Sequence, residues 1–310
     1  MCPPNIHIDP VYLKENHLQY VSSIDYGSFG SVHLVYSTQY NQNFALKVIS
    51  NRKFDYNEVS SLIKFDCPYV IRLYGFQIVK NVTYLLMEYC PETLQNKIKK
   101  EGRLDPNLAI QYAREILIGL SLCHANGISH GDIKTSNILI DAYGRIKICD
   151  FGMSDFSDDP EGLSQHFRGS FPFMAIEIID KKAYDRFKAD IYSFGVTLFY
   201  TLTGHYPWKG IHRDEIINNI QNGNTLINLI GIPELESVID RCISVCPENR
   251  PTADELLEMP IFAERRCIAQ SKPKTPINLT AIAHKPKQSS STLTLTANRI
   301  VRPRRRSVKI

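Results

Sequence analysis

Residues 130–137 read HGDIKTSN, and the apolar residues 138–140, ILI, follow directly. This polar loop carries three side chains with complementary chemistry. The Asp132 carboxylate can accept the proton of a hydroxyl or orient that hydroxyl, the Lys134 ammonium can stabilise charge on a phosphate, and the Asn137 amide oxygen can bind a metal ion. A structural loop with accidental polar residues is the alternative interpretation, and the neighbouring motifs help to choose between the two.

The next motif is Asp150-Phe151-Gly152, which begins thirteen residues after Asn137 and follows a strand-like run at 145–148. Magnesium prefers oxygen ligands, and Asp150 with Asn137 would supply two of them. An isolated Asp-Phe-Gly occurs by chance in many chains, but its place after the 130–137 loop makes chance a poor explanation. We therefore predict that Asn137 and Asp150 bind Mg²⁺.

The chain before this loop predicts a small, strand-rich unit. Strand-like runs, rich in β-branched and aromatic residues, occupy 18–25, 31–37, 43–49, 70–79 and 82–87. A short helix is predicted at 57–65. The turn DYGSFGSV, residues 25–32, allows backbone N–H groups to approach phosphate oxygens, although a plain hairpin turn has a similar composition. Lys47 could neutralise phosphates if the Glu58 carboxylate holds it in place. The alternative interpretation is that Lys47 and Glu58 are each an ordinary charged side chain on the solvated surface.

After Glu88 the apolar residues recur at helical spacing instead. Two sets show this period: Ile110, Ala113, Leu117 and Leu120, then Ile191, Phe194, Leu198 and Leu202. Further helices are predicted at 212–221, 234–242 and 252–258. Phosphoryl transfer needs gripped phosphates, neutralised charge and a hydroxyl held in line, and side chains suited to each task appear here in a fixed order.

Taken in this order, the motifs resemble those of the eukaryotic protein kinase family over roughly residues 20–262. The resemblance continues through AIE at 175–177, DIYSFG at 190–195 and PENRP at 247–251. It implies an α+β, bilobal, protein-kinase-like fold, with a small β-rich N-lobe (18–88) and a larger α-helical C-lobe (89–262). Residues 1–17 would be an N-terminal extension and residues 263–310 a basic, disordered tail. By the same resemblance Glu177 and Arg250 should form a buried ion pair, and Asp190 should brace the catalytic loop.

The resemblance also implies an activity: transfer of the γ-phosphoryl group from ATP, with Mg²⁺, to serine or threonine hydroxyls of proteins. Lys134 and Gly169-Ser170 match the serine/threonine pattern, and there is a loose similarity to the calcium/calmodulin-dependent group. Met87 falls at the gatekeeper position, and Cys149 should line the nucleotide pocket. The implied catalytic residues are Asp132, Lys134, Lys47 and Glu58. The implied ATP-binding residues are Tyr26, Gly27, Ser28, Phe29, Gly30, Val32, Ala45, Lys47, Glu88, Cys90 and Leu139.

Several positions depart from the family pattern. Asp25 replaces the first glycine of the phosphate loop, which should weaken ATP binding. Gly131 replaces an arginine that normally binds a phosphate on the activation loop, and the second basic contact falls at about Asp155, which is acidic. We therefore predict activity that does not depend on activation-loop phosphorylation.

A pseudokinase scaffold is the main alternative, although Lys47, Asp132 and Asp150 are all retained. Gly169-Ser170 and residues 175–177 argue against a third option, a kinase of small molecules.

Composition and charge bound the remaining properties. Hydrophobic residues make up 43% of the chain and charged residues 22%, as in soluble globular proteins. With neither an apolar run of membrane-spanning length nor a secretory signal in the sequence, we expect a cytoplasmic monomer with eight reduced cysteines. Residues 263–310 carry twelve Lys and Arg against one acid, so their net charge is +11 and the rest carry −7 of the total +4. This tail could bind nucleic acid or acidic lipid, direct the chain to the nucleus, act as a docking or pseudosubstrate segment, or only increase solubility.

Overall fold

An antiparallel sheet forms the first lobe of the computed structural model, which describes residues 8–27, 30–52, 54, 59, 62–63, 67–156 and 163–263. The strand order is β1-β2-β3-β5-β4. Along β2 buried side chains alternate with partly exposed ones, as expected for a strand with one face in the core. The strands are β1 (Leu18–Gly27), β2 (Gly30–Ser37), β3 (Gln42–Ser50), β4 (Leu73–Val79) and β5 (Val82–Glu88).

These strands confirm the sequence-based prediction, with one difference of three residues. Strand β4 begins at Leu73 rather than at residue 70, because Val70 forms a parallel bridge with Ile148 of the second lobe. Most of the helix predicted at 57–65, including Glu58, lies outside the described residues.

A short helix, α1 (Pro10–Glu15), covers the outer face of this sheet. The Asp9 side chain accepts a hydrogen bond from the Val11 N–H and so caps the helix. The Tyr12 ring stacks on Tyr84 of β5 with a centroid separation of 3.9 Å, and the Asp9 N–H donates to the Tyr84 hydroxyl at 3.0 Å. Residues 8–17 therefore pack as part of the first lobe, although the resemblance begins only near residue 20.

The second lobe is mainly helical, as predicted. Short strands near the first lobe are β6 (Glu92–Thr93), β7 (Ile128–Ser129), β8 (Ile138–Ile140), β9 (Ile146–Ile148) and β10 (Asp155–Phe156). The helices are α2 (Leu94–Glu101), α3 (Pro106–Ala125), α4 (Ile176–Ile179), α5 (Arg186–Thr203), α6 (Arg213–Gln221), α7 (Pro233–Cys242) and α8 (Ala253–Leu257).

Helix α5 is the central element of this lobe. The Asp185 side chain accepts hydrogen bonds from the N–H groups of Phe187 and Lys188, and Gly204 ends the helix in the left-handed conformation. Most of its residues are buried, including the polar Asp190 and Arg186. A helix buried on nearly all sides fixes the positions of its polar side chains, and one of these reaches the catalytic loop.

A buried ion pair joins two distant parts of the second lobe. The Arg250 guanidinium donates to both carboxylate oxygens of Glu177, at 2.6 and 2.9 Å. Arg250 also lies over the Tyr192 ring, 4.9 Å from its centroid, and is 1% exposed. The ion pair expected from the resemblance is thus confirmed, and it holds helix α4 against the loop that follows α7.

Breaking this pair should destabilise the fold. Arg250→Met leaves the Glu177 carboxylate buried without its cation, so we expect the free energy of unfolding to fall by about 3–5 kcal/mol in urea titrations. Arg250→Met combined with Glu177→Met should recover part of that loss because no buried charge remains. The control is Lys182→Met, which breaks an exposed pair with Asp180 and should change stability by less than about 0.5 kcal/mol. A double variant as unstable as Arg250→Met alone would contradict this account.

Candidate active site

The catalytic loop is held by one buried carboxylate. Asp190, from helix α5, accepts hydrogen bonds from the backbone N–H groups of His130, at 2.7 Å, and Gly131, at 2.8 Å. His124 Nε2 lies 3.0 Å from the same carboxylate, and Asp190 is 1% exposed. The expected brace is therefore confirmed, and it sets the direction of the chain just before Asp132.

Asp132 lies in a short chain of polar contacts. Lys134 Nζ lies 2.6 Å from Asp132 Oδ2 and 2.7 Å from the Ser170 hydroxyl. Asp132 Oδ1 is buried and has no hydrogen-bond partner among the described residues. A carboxylate with one oxygen fixed and the other unpartnered is suited to accept a hydrogen bond, and then a proton, from a substrate hydroxyl.

Asn137 is oriented by the same carboxylate. Its Nδ2 donates to the Asp132 carbonyl at 2.9 Å and to Asp132 Oδ2 at 3.1 Å. The amide nitrogen is thus committed to Asp132, and the amide oxygen is the atom available to a hard cation. Asn137 and Asp150 both line one cavity, so the donor set of amide oxygen and carboxylate fits the predicted Mg²⁺. The remaining ligands of such an ion would come from phosphates and water.

Lys47 and Asp150 meet across the lobes. Lys47 Nζ on β3 lies 2.8 Å from Asp150 Oδ1. Burial alone would raise the pKa of Asp150, but the Lys47 ammonium beside it, together with other nearby cationic groups, outweighs burial and holds that pKa below its ordinary value. Asp150 has a left-handed backbone with φ of 66°, and the ring of the fully buried Phe151 packs 4.8 Å from that of His130. The carboxylate is therefore ionised at neutral pH.

A cavity of about 420 Å³ lies between the lobes, and Lys47, Asn137 and Asp150 line it. Seven of the residues predicted to bind ATP line it: Gly30, Val32, Ala45, Lys47, Glu88, Cys90 and Leu139. The gatekeeper Met87 and Cys149 line it too, as expected. Burial raises the pKa of Cys90 to about 12, so its sulfur is a protonated thiol in the cavity wall. The volume and the mixed polar and apolar lining are suitable for a nucleotide.

Other predicted residues lie elsewhere. Tyr26 does not line the cavity: it is exposed, and its ring lies 6.0 Å from that of His33. Gly27 is the last residue of β1 and is opposite Gly30 of β2. At the other end of this turn, a Cβ added to Gly30 would lie 2.2 Å from the Val48 carbonyl oxygen, so that position requires glycine. Ser28, Phe29 and Glu58 lie outside the described residues.

Sequence reasoning missed several parts of the cavity wall. Ile24, Ile71, Gln95 and Asn96 line it, and none belongs to a motif. The helix-capping pattern at the start of α2 could have indicated Asn96, because the Asn96 N–H donates to the hydroxyl of Thr93. Thr93 lines the same cavity. The sequence carries no local signal for Ile71, which is brought in when its N–H bonds to the Ile148 carbonyl at 2.9 Å.

Comparison with known proteins agrees with this geometry. Residues 18–262 match the protein kinase domain family. The chain is 31% identical to CBL-interacting serine/threonine-protein kinase 12 of Arabidopsis thaliana over 246 residues, which cover 76% of this chain and 50% of the relative. It is also 31% identical to the probable serine/threonine-protein kinase MARK-A of Dictyostelium discoideum, over 87% of this chain and 26% of the relative. Sperm motility kinase 3A of Mus musculus is 30% identical over 80% of this chain. The chain thus spans about half the length, or less, of these relatives.

The fold and the site define a protein of two lobes with a nucleotide-sized cavity between them. The chain belongs to the protein kinase family, among relatives that are serine/threonine kinases. In the parts of the chain that the structure describes, no helix combines the length and apolarity needed to cross a bilayer.

The Lys47–Asp150 pair predicts a pH-dependent contribution to stability. Because the pKa of Asp150 is lowered by folding, its carboxylate stabilises the folded state at a pH above the unfolded pKa, and this stabilisation is lost as the pH falls through the lowered value. Lys47→Met should therefore reduce the free energy of unfolding at about pH 7, and the difference from wild type should shrink as the pH falls to about 3. Urea unfolding at a series of pH values measures this. A difference that stays constant over the whole range would show that Asp150 is not the group concerned.

Proposed function

We propose that this chain transfers the γ-phosphoryl group of ATP, in the presence of Mg²⁺, to serine or threonine hydroxyls of proteins. One observation carries the proposal: Lys47, Asn137 and Asp150 line one large cavity. Asn137 in turn contacts Asp132, and Asp132 contacts Lys134. Phosphoryl transfer requires positioning and charge stabilisation more than covalent chemistry, and these groups supply both.

Each side chain has a distinct task in this proposal. Asp132 Oδ1, which has no hydrogen-bond partner among the described residues, orients the substrate hydroxyl and takes its proton as the new O–P bond forms. The bond between the γ-phosphorus and the bridging oxygen breaks at the same time, and ADP leaves with that oxygen. Lys134, which bridges Asp132 and Ser170, stabilises the charge of the phosphoryl group. Lys47 provides a cation for the phosphates that remain on the nucleotide, and Asp150 and Asn137 would hold Mg²⁺. The metal ion would neutralise phosphate oxygens.

A pseudokinase scaffold is the second candidate, and Asp25 favours it. This residue lines the cavity, and its carboxylate accepts a hydrogen bond from the Tyr26 N–H at 2.8 Å. A negative charge beside bound phosphates raises the free energy of nucleotide binding. Under the kinase proposal this only weakens ATP binding, whereas a pseudokinase would bind nucleotide unproductively or not at all.

The deciding experiment is transfer of radiolabelled phosphate from ATP to a panel of protein substrates. We expect label on serine and threonine with wild type, and a loss of at least about 10²-fold with Asp132→Asn, because asparagine cannot accept the proton. The matched control is Asp180→Asn, which makes the same chemical change on the exposed surface and should retain full activity. If folded wild-type protein transfers no label, the scaffold becomes the better proposal.

We further propose that activity does not depend on phosphorylation of the activation segment, defined here as residues 150–177. Gly131 and Asp155 leave this segment without the two basic side chains that the family resemblance leads one to expect. Treatment with a protein phosphatase should therefore leave the rate within about twofold of the untreated enzyme, since no phosphate-dependent ion pair is lost. Mass spectrometry should confirm that the phosphate was removed. Loss of most of the activity after that treatment would refute the proposal.

The remaining predictions from sequence stay predictions. Residues 264–310 lie outside the described part of the chain. Binding of nucleic acid or acidic lipid by the basic tail, a cytoplasmic or nuclear location and a monomeric state are compatible with the proposed activity but are independent of it.

A further inference from the structure

A cluster of polar side chains ties residues 163–170, in the later part of the activation segment, to strand β10 near the start of that segment. Asp155 Oδ2 accepts a hydrogen bond from the Ser164 hydroxyl at 2.7 Å and lies 3.3 Å from His166 Nδ1. The Ser164 hydroxyl also accepts a hydrogen bond from the His166 N–H at 3.2 Å. Ser164 is 4% exposed, whereas the side chains of Asp155 and His166 are 21% and 59% exposed. The hydroxyl is therefore the inner contact of the cluster and the imidazole the outer one.

Asp155 is linked through the backbone to the catalytic loop. In the antiparallel pair β7–β10, Asp155 is opposite Ser129, which directly precedes His130. The Ser129 hydroxyl donates to the Asp155 carbonyl at 3.4 Å. Asp190 binds the N–H groups of His130 and Gly131, which follow Ser129 and precede Asp132. Strand pairing on one side and Asp190 on the other therefore fix the position of Asp155 relative to Asp132.

The other end of the cluster leads along the chain to Ser170, which contacts Lys134. Ser164 and Tyr184 exchange backbone hydrogen bonds at 2.8 and 3.1 Å, and the Tyr184 hydroxyl donates to the His166 carbonyl at 2.9 Å. Four residues after His166 the chain reaches Ser170, whose hydroxyl contacts Lys134. The segment between them is thus held at one end by Asp155 and at the other by the catalytic lysine.

We propose that Asp155 is a positioning residue which, through Ser164 and His166, forms an internal clamp that orders residues 163–170 beside the catalytic loop without a phosphoryl group. This inference rests on the proposed kinase activity and names the interaction that regulates it. In a phosphate-dependent contact, the anion is on the later part of the activation segment and cations hold it. In the clamp the charges are reversed, because the anion is Asp155 on β10 and its partners, Ser164 and His166, are on the later part. A phosphoryl group on Ser164 would place about two negative charges against the Asp155 carboxylate and open the clamp. Modification of Ser164 is therefore inhibitory.

Other charged groups near the clamp affect the design of its test. The cavity beneath it is lined by Arg168, Arg186 and Asp190 as well as by Asp155 and His166. A lysine introduced at position 155 alone would be repelled by the guanidinium groups of Arg168 and Arg186. It therefore needs a new carboxylate nearby, which a second substitution can supply. A paired exchange of charge is thus a stricter test than a deletion.

The first test compares four variants with wild type in the radiolabel assay. Asp155→Ala should lower kcat about tenfold or more, because hydrogen bonds to a charged group are lost, while the KM for ATP stays within about twofold since Asp155 does not line the nucleotide cavity. Asp155→Lys should be at least as impaired. Asp155→Lys with His166→Glu should recover most of the lost kcat, because the side-chain contact between positions 155 and 166 is restored with its polarity reversed. Ser164→Asp should be inactive.

The control exchange uses a surface pair of similar exposure. Asp180 and Lys182 are 2.9 Å apart and are 27% and 70% exposed. Asp180→Lys, alone and with Lys182→Glu, should leave kcat unchanged. Unfolding midpoints of all variants identify any that fail to fold.

A second readout separates failure of the clamp from failure of the proposed function. Deuterium exchange in peptides that cover residues 163–170 should rise in Asp155→Ala and return towards the wild-type level in the charge-exchanged double variant. If wild type transfers no phosphate but exchange follows this pattern, the clamp stands and the kinase proposal fails. If Asp155→Ala keeps full kcat and wild-type exchange, or if the folded double variant is no better than Asp155→Lys, the clamp is overturned.

Discussion

The Asp190 carboxylate is the constraint on which the rest of the site depends. It binds two consecutive backbone N–H groups, those of His130 and Gly131, from within a helix that is buried on nearly all sides. Hydrogen bonds from backbone N–H groups to a buried carboxylate are charge-assisted and directional, so they fix the orientation of the peptide as well as its position. Asp132 follows Gly131 directly, and its carboxylate then orients Lys134 and Asn137. A chain of contacts thus runs from the core of the second lobe to the reacting atoms.

The same helix connects this brace to the buried ion pair. Arg250, which binds Glu177, also donates to the Lys188 carbonyl at 3.2 Å, two residues before Asp190. The Lys188 ammonium in turn donates to the Arg250 carbonyl. The ion pair between Arg250 and Glu177 therefore helps to fix the position of Asp190. Its burial contributes to the geometry of the catalytic loop as well as to stability. Buried charges whose hydrogen bonds are satisfied hold a defined geometry because any displacement leaves a charge unpaired.

Much of this arrangement could be predicted from the sequence because its parts are close along the chain or belong to fixed motifs. The strands of the first lobe follow from apolar alternation, and Asp132, Lys134 and Asn137 share one loop of eight residues.

The residues of the cavity wall are harder to predict from the sequence. Ile71 has no motif and reaches the cavity through a hydrogen bond to strand β9, a pairing between residues far apart in sequence. The place of Tyr26 in a motif predicts that it binds the nucleotide, but in the structure its ring lies near His33 and outside the cavity. The role of His166 depends on Asp155, eleven residues earlier, and only the folded chain brings the two side chains together.

Gly131 and Asp155 are best understood as two parts of one arrangement. Gly131 has a left-handed backbone with φ of 77°, and a Cβ at this position would lie 2.5 Å from the Met153 carbonyl oxygen. Any side chain at 131 would therefore displace the backbone that leads into β10. The glycine lets that strand approach the catalytic loop closely, and the approach brings Asp155 opposite Ser129. The residue that removes the expected basic contact is thus also the one that allows a carboxylate to take over the task of fixing the activation segment. A contact made by the chain's own side chains is present as soon as the protein folds, whereas a contact made by a phosphoryl group requires a phosphorylation reaction first.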